Sequence, residues 1–173
     1  MEGKLVRLRA LEMSDVSLIY QWENQPEIWQ TSQVPGPYSM EAIRQYVQNA
    51  MTHSVLAMQQ VRFMIETLDN HVPVGLADLF DIDMLNRKAG IGIMIDAEHR
   101  KKGYAADALQ LVISYGFNHL KLHQLYADIA ISNQKSLSLF RSAGFIQTGR
   151  RKDWVKTPGG FEDAFFLQFI NLD

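Results

Sequence analysis

Hydrophobic residues follow strand spacing at the start of the chain and helical spacing through most of its N-terminal third. Apolar positions alternate with charged ones over residues 4–11, which predicts a strand, and they recur at helical spacing over residues 16–22 and 40–58. Three residues suit the starts of these helices because their side chains can accept a backbone N–H: Ser14, Asp15 and Ser39. One strand followed by two helices is therefore predicted.

The rest of the chain shows strand spacing, interrupted by further helices. Strands are predicted over the apolar stretches 62–67, 74–81, 89–96 and 125–131. Asn133 and Gly144 suit the two ends of a short helix over 135–143, because asparagine caps helix starts and glycine adopts the left-handed conformation that ends them. Residues 146–156 and 161–170 flank a Thr-Pro-Gly-Gly turn, which predicts a terminal hairpin.

Composition narrows the class of protein. The 173 residues are 47% hydrophobic, which suits one core, and we expect a single domain over 1–173. The formal net charge of −2 provides no basic field for nucleic acid or an anionic membrane. There is no cysteine, which excludes disulfides, thiolate metal sites and a cysteine nucleophile. No apolar run reaches ~18 residues and the N-terminus is charged, so we expect a cytoplasmic protein.

A cationic turn precedes one more predicted helix. The stretch HRKKGYAADALQ, residues 99–110, places three cations and Gly103 ahead of an apolar stripe that runs to Gly116. A helix start offers unpaired N–H groups and partial positive charge, and a glycine there lets a phosphate approach the backbone. A cationic run alone is typical of a solvated turn. The order strand, turn, helix favours a pyrophosphate site.

Two glycines interrupt the strand before this turn. In the stretch AGIGIMID, Ile91, Ile93 and Ile95 share one face, whereas Gly90 and Gly92 leave much of the other face without side chains. Such glycines mark either a bend with a close helix contact or the approach of another group. Neither a G-x-x-x-x-G-K-[ST] loop nor a dinucleotide-binding fingerprint is present. Together with the cationic turn, the strand favours a bound ligand.

The stretch RKKGYAADAL resembles the R-x-x-G-x-A signature of the GNAT superfamily of acyl-CoA-dependent N-acyltransferases, with Arg100, Gly103 and Ala105 in register. The resemblance covers most of the chain, from KLVRLRALEMSD through NRKAGIG to N-x-x-S-x-x-L-F-x-x-x-G-F. These stretches are similar to the branch that holds the ribosomal-protein alanine N-acetyltransferases and the spermidine N-acetyltransferases.

The resemblance implies an α/β (α+β) GNAT fold: a central mixed sheet of about six to seven strands, splayed between two parallel strands and flanked by about four helices. It also implies acetyl-CoA as co-substrate, with its pantetheine bonded along a strand and its pyrophosphate on the N–H groups of residues 100–106. The residues that the resemblance implies for cofactor binding are Ile93, Met94, Ile95, Arg100, Lys101, Lys102, Gly103, Tyr104, Ala105, Ala106, Asn133, Ser136 and Phe140.

Two positions depart from the family pattern. Many members have a tyrosine in the short helix that serves as general acid to the CoA sulfur, and the matching residue here is Phe140. A phenylalanine has no proton to give, although its ring can pack against the thioester. Relatives often carry a glutamate where this chain has Gly90. The resemblance therefore leaves the catalytic residues unassigned.

Replacements for the missing groups are expected on neighbouring strands. Asp81 matches an acidic position of the spermidine branch and is the candidate catalytic residue, with a solvated strand-end carboxylate as the alternative. In a regular strand Asp78 and Asp81 would lie on opposite faces, so no more than one could face the acceptor. Further hydroxyl groups near the missing tyrosine are those of Ser136, Ser138 and Tyr126.

An aromatic and acidic set in the N-terminal helices could hold a cationic amine through carboxylate and cation–π contacts. The set consists of Trp22, Glu23, Glu27, Trp29 and Tyr38. Ordinary core and surface residues of a helix pair would show the same pattern. His119 and His123 have the i, i+4 spacing of a zinc pair, but no acidic third ligand follows at motif spacing, and we expect no metal.

Three functions remain open at this point. The leading one is an acetyl-CoA-dependent N-acetyltransferase, which acts in a ternary complex on a small amine (a polyamine or an amino sugar) or on a protein N-terminus. The second is a catalytically weak acyl-CoA-binding or sensor domain, suggested by Phe140 and Gly90. The third is nucleic-acid binding, which the net charge disfavours. A homo-oligomer also stays open, and a spermidine-type enzyme would have acidic pockets between subunits.

Overall fold

The computed structural model describes residues 1–32 and 36–172. Their strands are β1 (Val6–Ala10), β2 (Val61–Thr67), β3 (Pro73–Asp83), β4 (Lys88–Ile95), β5 (Gln124–Ala130), β6 (Ile146–Thr157) and β7 (Gly160–Ile170). These seven form one sheet in the order β1-β2-β3-β4-β5-β7-β6. All neighbours are antiparallel except β4 and β5, which run parallel. The predicted mixed sheet and the terminal hairpin are confirmed.

The described residues form six α-helices, more than the four expected. They are α1 (Val16–Glu23), α2 (Pro26–Ser32), α3 (Met40–Thr52), α4 (Val55–Met58), α5 (Tyr104–Ser114) and α6 (Gln134–Ser142). Pro26 starts α2 as a helix of its own, since proline is favoured at a first helical position. The helix predicted over 40–58 is interrupted because Ser54 accepts the N–H of Ala57 and starts α4.

Capping shows which local predictions were correct. Ser39 accepts the N–H of Ala42 and Asn133 accepts the N–H of Ser136, so both predicted N-caps are confirmed. Gly144 has a φ of 105°, the left-handed conformation expected of a glycine that follows a helix. Asp15 occupies the N-cap position of α1 as predicted, but its carboxylate pairs with the Arg9 guanidinium at 2.8 Å and makes no cap bond to the helix.

The two faces of the sheet carry different cores. One face packs on α5 and α6 through a large apolar cluster that includes Leu79, Ile91, Leu125 and Leu167. The opposite face packs on α1 and α3 through a smaller cluster, Leu11, Val16, Ile19, Trp22, Ile43, Val47, Met64 and Leu76. Toward β5 and β7 this second face carries polar and aromatic side chains. It is therefore the face on which side-chain chemistry is available.

The parallel strands stay paired over a short distance only. Their register runs from Lys88 opposite Gln124 to Gly90 opposite Tyr126. Residues 91–95 of β4 and 127–130 of β5 continue as strands, but they pair with β3 and β7 and no longer with each other. The predicted splay is confirmed, and it leaves a wedge-shaped gap whose narrow end lies at Gly90 and Tyr126.

Candidate active site

The edge of β4 that faces this gap offers unpaired backbone groups. The N–H of Asp96 bonds to the carbonyl of Val74 in β3, at 2.9 Å. Successive residues of a strand turn their N–H and C=O to opposite edges, so Met94 is also directed to β3, whereas Ile93 and Ile95 are directed into the gap. Of the three residues predicted to bind pantetheine here, Ile93 is placed to do so through its backbone and Ile95 through its N–H, because the Ile95 carbonyl already accepts from Arg100.

The start of α5 provides the second half of the site. Gly103 precedes the helix with a φ of 83°, and Lys101 has a φ of 64°, so the chain turns sharply into α5. Among the described residues no acceptor is found for the N–H groups of 101–106, and the first bond of the helix runs from Asp107 N–H to the Gly103 carbonyl at 3.2 Å. An N–H cradle of this kind fits a pyrophosphate. The residues present therefore fit acetyl-CoA.

Two residues keep this cradle in shape. Any residue other than glycine at position 103 would be held at an unfavourable φ, and its Cβ would lie 3.0 Å from the Leu5 side chain. Asp107 accepts the N–H groups of Lys4, Leu5 and Val6 at 2.7–3.1 Å. Burial opposes the charge of this carboxylate, but the three bonds outweigh it and hold its pKa below the usual range.

The side chains of the cationic turn serve different purposes. Arg100 donates from Nε to the carbonyl of Ile95 at 3.0 Å and from a terminal nitrogen to Glu27 of α2 at 2.7 Å. Its own N–H bonds to the Ala97 carbonyl at 3.5 Å. The cofactor-binding role that the resemblance implied for Arg100 therefore does not extend to its guanidinium, which joins the turn to α2. Lys101 and Lys102 are exposed at the rim.

The start of α6 holds three more residues that the family resemblance implied. Asn133 and Ser136 form the cap of that helix, so the N–H of Ser136 is already bonded. Phe140 is only 5% exposed and packs edge-on against Phe145, with ring centroids 5.0 Å apart. Because the ring belongs to the core, the idea that it packs against a thioester finds no exposed surface to support it.

The face at Gly90 is occupied, which corrects another expectation. A Cβ on Gly90 would lie 2.3 Å from the Phe80 ring, whereas one on Gly92 would lie 3.8 Å from it. Gly90 therefore makes room for a side chain of the neighbouring strand and not for a ligand. The sequence signal was correct that something approaches this glycine closely, but its periodicity alone could not identify what.

Asp81 lies in a bulge that the sequence did not predict. The pairing of β3 with β4 shifts between Phe80 and Asp83, and Asp81 has a φ of 50°. Because the strand is irregular here, the carboxylate turns toward Tyr126, on the face that also carries Asp78. Burial raises the pKa of Tyr126, and the nearby charges of Asp81 and Asp128 raise it further. The expectation of opposite faces therefore fails.

Aromatic rings flank Tyr126 on both sides. Its ring lies 6.4 Å from Phe80, edge to face, and 5.6 Å from Phe166. The guanidinium of Arg151 lies 4.9 Å from the centre of the Phe166 ring and pairs with Asp128 at 2.6 Å. Among the described residues no Lys or Arg pairs with Asp81. The face thus presents aromatic surface beside one unneutralised carboxylate.

A buried charge cluster between the sheet and α1 was missed by sequence reasoning. Arg62 donates to Glu23 at 2.6 Å and to Asp78 at 2.5 Å, and it lies 5.2 Å from the centre of the Tyr46 ring. Burial raises the pKa of Tyr46 to about 12. An arginine within a strand could have signalled a buried partner, but nothing local identifies which carboxylates it meets.

The aromatic and acidic set predicted for the N-terminal helices does not form one cage. Trp22 is core, Glu23 belongs to the Arg62 cluster, and Glu27 pairs with Arg100. Of the remaining two members, Trp29 donates from its ring to the Glu23 backbone carbonyl, and the backbone of Tyr38 is bonded to the Asn24 side chain. The acceptor is therefore to be sought on the sheet face.

The histidine pair is not part of a metal site in the described residues 1–32 and 36–172. His119 stacks on Tyr115 with ring centroids 5.0 Å apart, and the described residues contain no group of three or more His, Asp or Glu placed to hold a metal ion. No described helix is both long enough and apolar enough to cross a membrane.

Known proteins share this architecture. Residues 6–146 match the family model of the acetyltransferase (GNAT) domain. The Bacillus subtilis protein named Probable N-acetyltransferase YjcK is 30% identical over 178 aligned positions, which cover 100% of this chain and 98% of that one. The match to the family model spans most of the chain, including the splayed strands and α5.

Solved structures agree with the family match. A Vibrio cholerae spermidine N-acetyltransferase in complex with CoA and spermine superposes with a TM-score of 0.87, at 25% identity and 95% coverage of both chains. A dodecameric structure of spermidine N-acetyltransferase from Vibrio cholerae gives 0.79 at 26% identity, covering 95% of this chain and 93% of that one. The chain belongs to the GNAT family and is an N-acetyltransferase that uses acetyl-CoA as its acetyl donor.

Proposed function

We propose that this enzyme acetylates a small cationic amine of the polyamine type. The observation that carries the proposal is the β4–β5 gap, which opens beside the start of α5 and, at its narrow end, meets a face with Phe80, Tyr126 and the unneutralised Asp81. Carboxylate and aromatic surface together suit an ammonium group. The relative that binds CoA and spermine supports this class of acceptor.

The chain contributes mainly binding and positioning. Acetyl-CoA supplies the acetyl group as an activated thioester. The N–H groups of 101–106 hold the pyrophosphate, and the gap-facing groups of Ile93 together with the N–H of Ile95 hold the pantetheine. A donor fixed in this way presents its carbonyl to an amine that lies over the sheet face, so that attack becomes effectively unimolecular. Asp81 is placed to attract the ammonium form and, once the amine is neutral, to accept the proton that its nitrogen loses during attack.

We further propose a cytoplasmic, homo-oligomeric enzyme that needs no nucleic acid. Acetyl-CoA is a cytoplasmic metabolite, and the net charge of −2 offers nucleic acid no attraction. β6 is an edge strand of the sheet, and several large apolar side chains near it are exposed: Ile146, Trp154 and Phe161. The dodecameric relative supports an assembly through such surfaces.

Release of CoA thiol across a panel of amines tests the acceptor. The panel includes spermidine, spermine, a diamine, an amino sugar and peptides with free N-termini, each at matched concentration. We expect kcat/KM to be highest for the polyamines and to fall when Asp81 is changed to Asn. Higher kcat/KM for peptide N-termini than for any polyamine would overturn the assignment of acceptor class.

A catalytically weak acyl-CoA-binding enzyme is the second candidate. The buried Phe140 without a hydroxyl group favours it, because the family's usual proton donor is missing. Calorimetric binding of CoA with only slow thiol release from every amine of the panel would select this candidate.

A further inference from the structure

The tyrosine on β5 stands where the parallel strands part. Tyr126 is the last β5 residue paired with β4, opposite Gly90. The pyrophosphate would bind beyond Ile95. Gly90 precedes Ile95 by five residues, which is ~17 Å along the strand. That span is comparable with an extended pantetheine arm, so the thioester reaches the narrow end of the gap beside Tyr126. This placement rests on the proposed function, in which the gap holds acetyl-CoA.

No other phenol lies at this place. The chain has six tyrosines, all within the described residues. Five lie in helices, in the segment before α3, or in the turn after α5: Tyr20, Tyr38, Tyr46, Tyr104 and Tyr115. Phe140, at the position that carries a tyrosine in many family members, is buried and has no proton to donate. The proton that the leaving thiolate needs must come from a different group.

The surroundings of Tyr126 keep it protonated. The groups that act on its phenol are Asp81, Asp128 and Arg151. Burial and the two carboxylates raise its pKa, and Arg151, already paired with Asp128, opposes them only in part. Phe80 and Phe166 pack beside the ring and limit its movement. The phenol is thus a positioned hydrogen donor across the neutral pH range.

We propose that Tyr126 is the proton donor to the CoA sulfur and that Asp81 restores its proton. The neutral amine forms the new C–N bond to the thioester carbonyl carbon. Asp81 takes one proton from the nitrogen, and the C–S bond breaks as Tyr126 gives its proton to the sulfur. The proton then passes from Asp81 to the neighbouring phenolate. The products are the acetamide and the CoA thiol, with both side chains returned to their starting states.

Tyr126→Phe in the full-length enzyme tests this assignment. We expect kcat to fall about 100-fold, while the calorimetric Kd for CoA stays within about twofold, because general acid catalysis is lost and binding is kept. Tyr115→Phe removes a phenol from the turn after α5 and is the matched control, expected to keep kcat. A kcat for Tyr126→Phe within about threefold of wild type would overturn the proposal.

A second measurement does not depend on turnover. The thiol of bound CoA is titrated through the ultraviolet absorbance of its thiolate, in wild type and in Tyr126→Phe. Loss of a phenol that donates to the sulfur raises the pKa of the bound thiol by about 1. An unchanged pKa refutes contact between Tyr126 and the sulfur. If the pKa rises but no amine is acetylated, the proposed function fails while the contact stands, so the two failures are distinguishable.

Discussion

The donor side and the acceptor side of this enzyme are built from different parts of the polypeptide. Acetyl-CoA would be held largely by backbone groups, those of β4 in the gap and those of residues 101–106 at α5. The amine would meet side chains brought from separate strands, among them Phe80, Asp81 and Tyr126. A backbone site depends on conformation, whereas a side-chain site depends on residue identity at each position.

This difference explains why one family can keep a donor and change its acceptor. Substitutions on the acceptor face alter charge and shape without touching the N–H cradle. Conversely, most side chains of the cationic turn can vary as long as the conformation at Gly103 is kept. Four substitutions separate the two sides, and they are described from the largest expected effect to the smallest.

Arg62→Met tests whether the acceptor side depends on its buried charges. The change leaves Glu23 and Asp78 without their shared partner, and we expect the free energy of unfolding to fall by about 3–5 kcal/mol. Urea denaturation measures the loss. Arg44→Met is the control, because its pair with Glu41 is exposed, and it should cost no more than about 1 kcal/mol. Equal losses in the two variants would contradict the prediction.

Gly103→Val tests whether the donor side depends on conformation. A β-branched residue is strained at a φ of 83°, and its side chain would crowd Leu5, so the N–H groups should turn away from the ligand. We expect the calorimetric Kd for CoA to rise roughly 30- to 100-fold. Gly159→Val is the control, since a Cβ there meets nothing within 4 Å. CoA affinity that stays at the wild-type value would refute the N–H cradle.

Asp107→Asn tests the bond between α5 and β1. Replacing a carboxylate that accepts three N–H groups should lower the free energy of unfolding by about 2 kcal/mol at neutral pH. Because its folded pKa lies below the unfolded value, the charge stabilises above the unfolded pKa, and that stabilisation is lost as pH falls through the folded pKa. The difference in the free energy of unfolding between wild type and variant should therefore become smaller at acid pH.

Denaturation at a series of pH values checks this dependence. Glu98→Gln, in the exposed turn before α5, is the control and should stay within about 0.5 kcal/mol of wild type throughout. If the difference in the free energy of unfolding between wild type and Asp107→Asn became larger toward acid pH, the predicted direction of the pH dependence would be wrong.

Phe140→Tyr is expected to have the smallest effect. The ring is buried against Phe145, so a hydroxyl group there should destabilise the fold by about 1 kcal/mol and should change kcat by less than about threefold. Steady-state thiol release measures the rate. A tenfold gain in kcat would show that α6 can supply the acid, and the division between the two sides would need revision.

Local signals in the sequence were enough to predict the helix ends and strands that form the donor side. The cap at Asn133, the left-handed turn at Gly144 and the helix that starts after Gly103 depend on neighbours within a few residues, so spacing and residue type predict them. The paired strands followed from alternation. The break of the second predicted helix at Ser54 was missed because the apolar spacing continues across it.

The contacts of the acceptor side could not be predicted from the sequence, for a physical reason. Arg62 meets Glu23 and Asp78 across 39 and 16 residues of chain, and no local pattern encodes such partners. The bulge that turns Asp81 toward Tyr126 changes which face a side chain joins, and alternation assumes that no bulge exists.

The contact between Arg100 and Glu27 has a consequence for the affinity of the enzyme for CoA. One guanidinium joins the end of β4, through the Ile95 carbonyl, to the helix α2. A ligand whose binding broke this contact would change the affinity for CoA, and by thermodynamic linkage CoA would change the affinity for that ligand by the same factor. A change of Glu27 should therefore appear in calorimetry as altered CoA affinity, although Glu27 lies outside the N–H cradle.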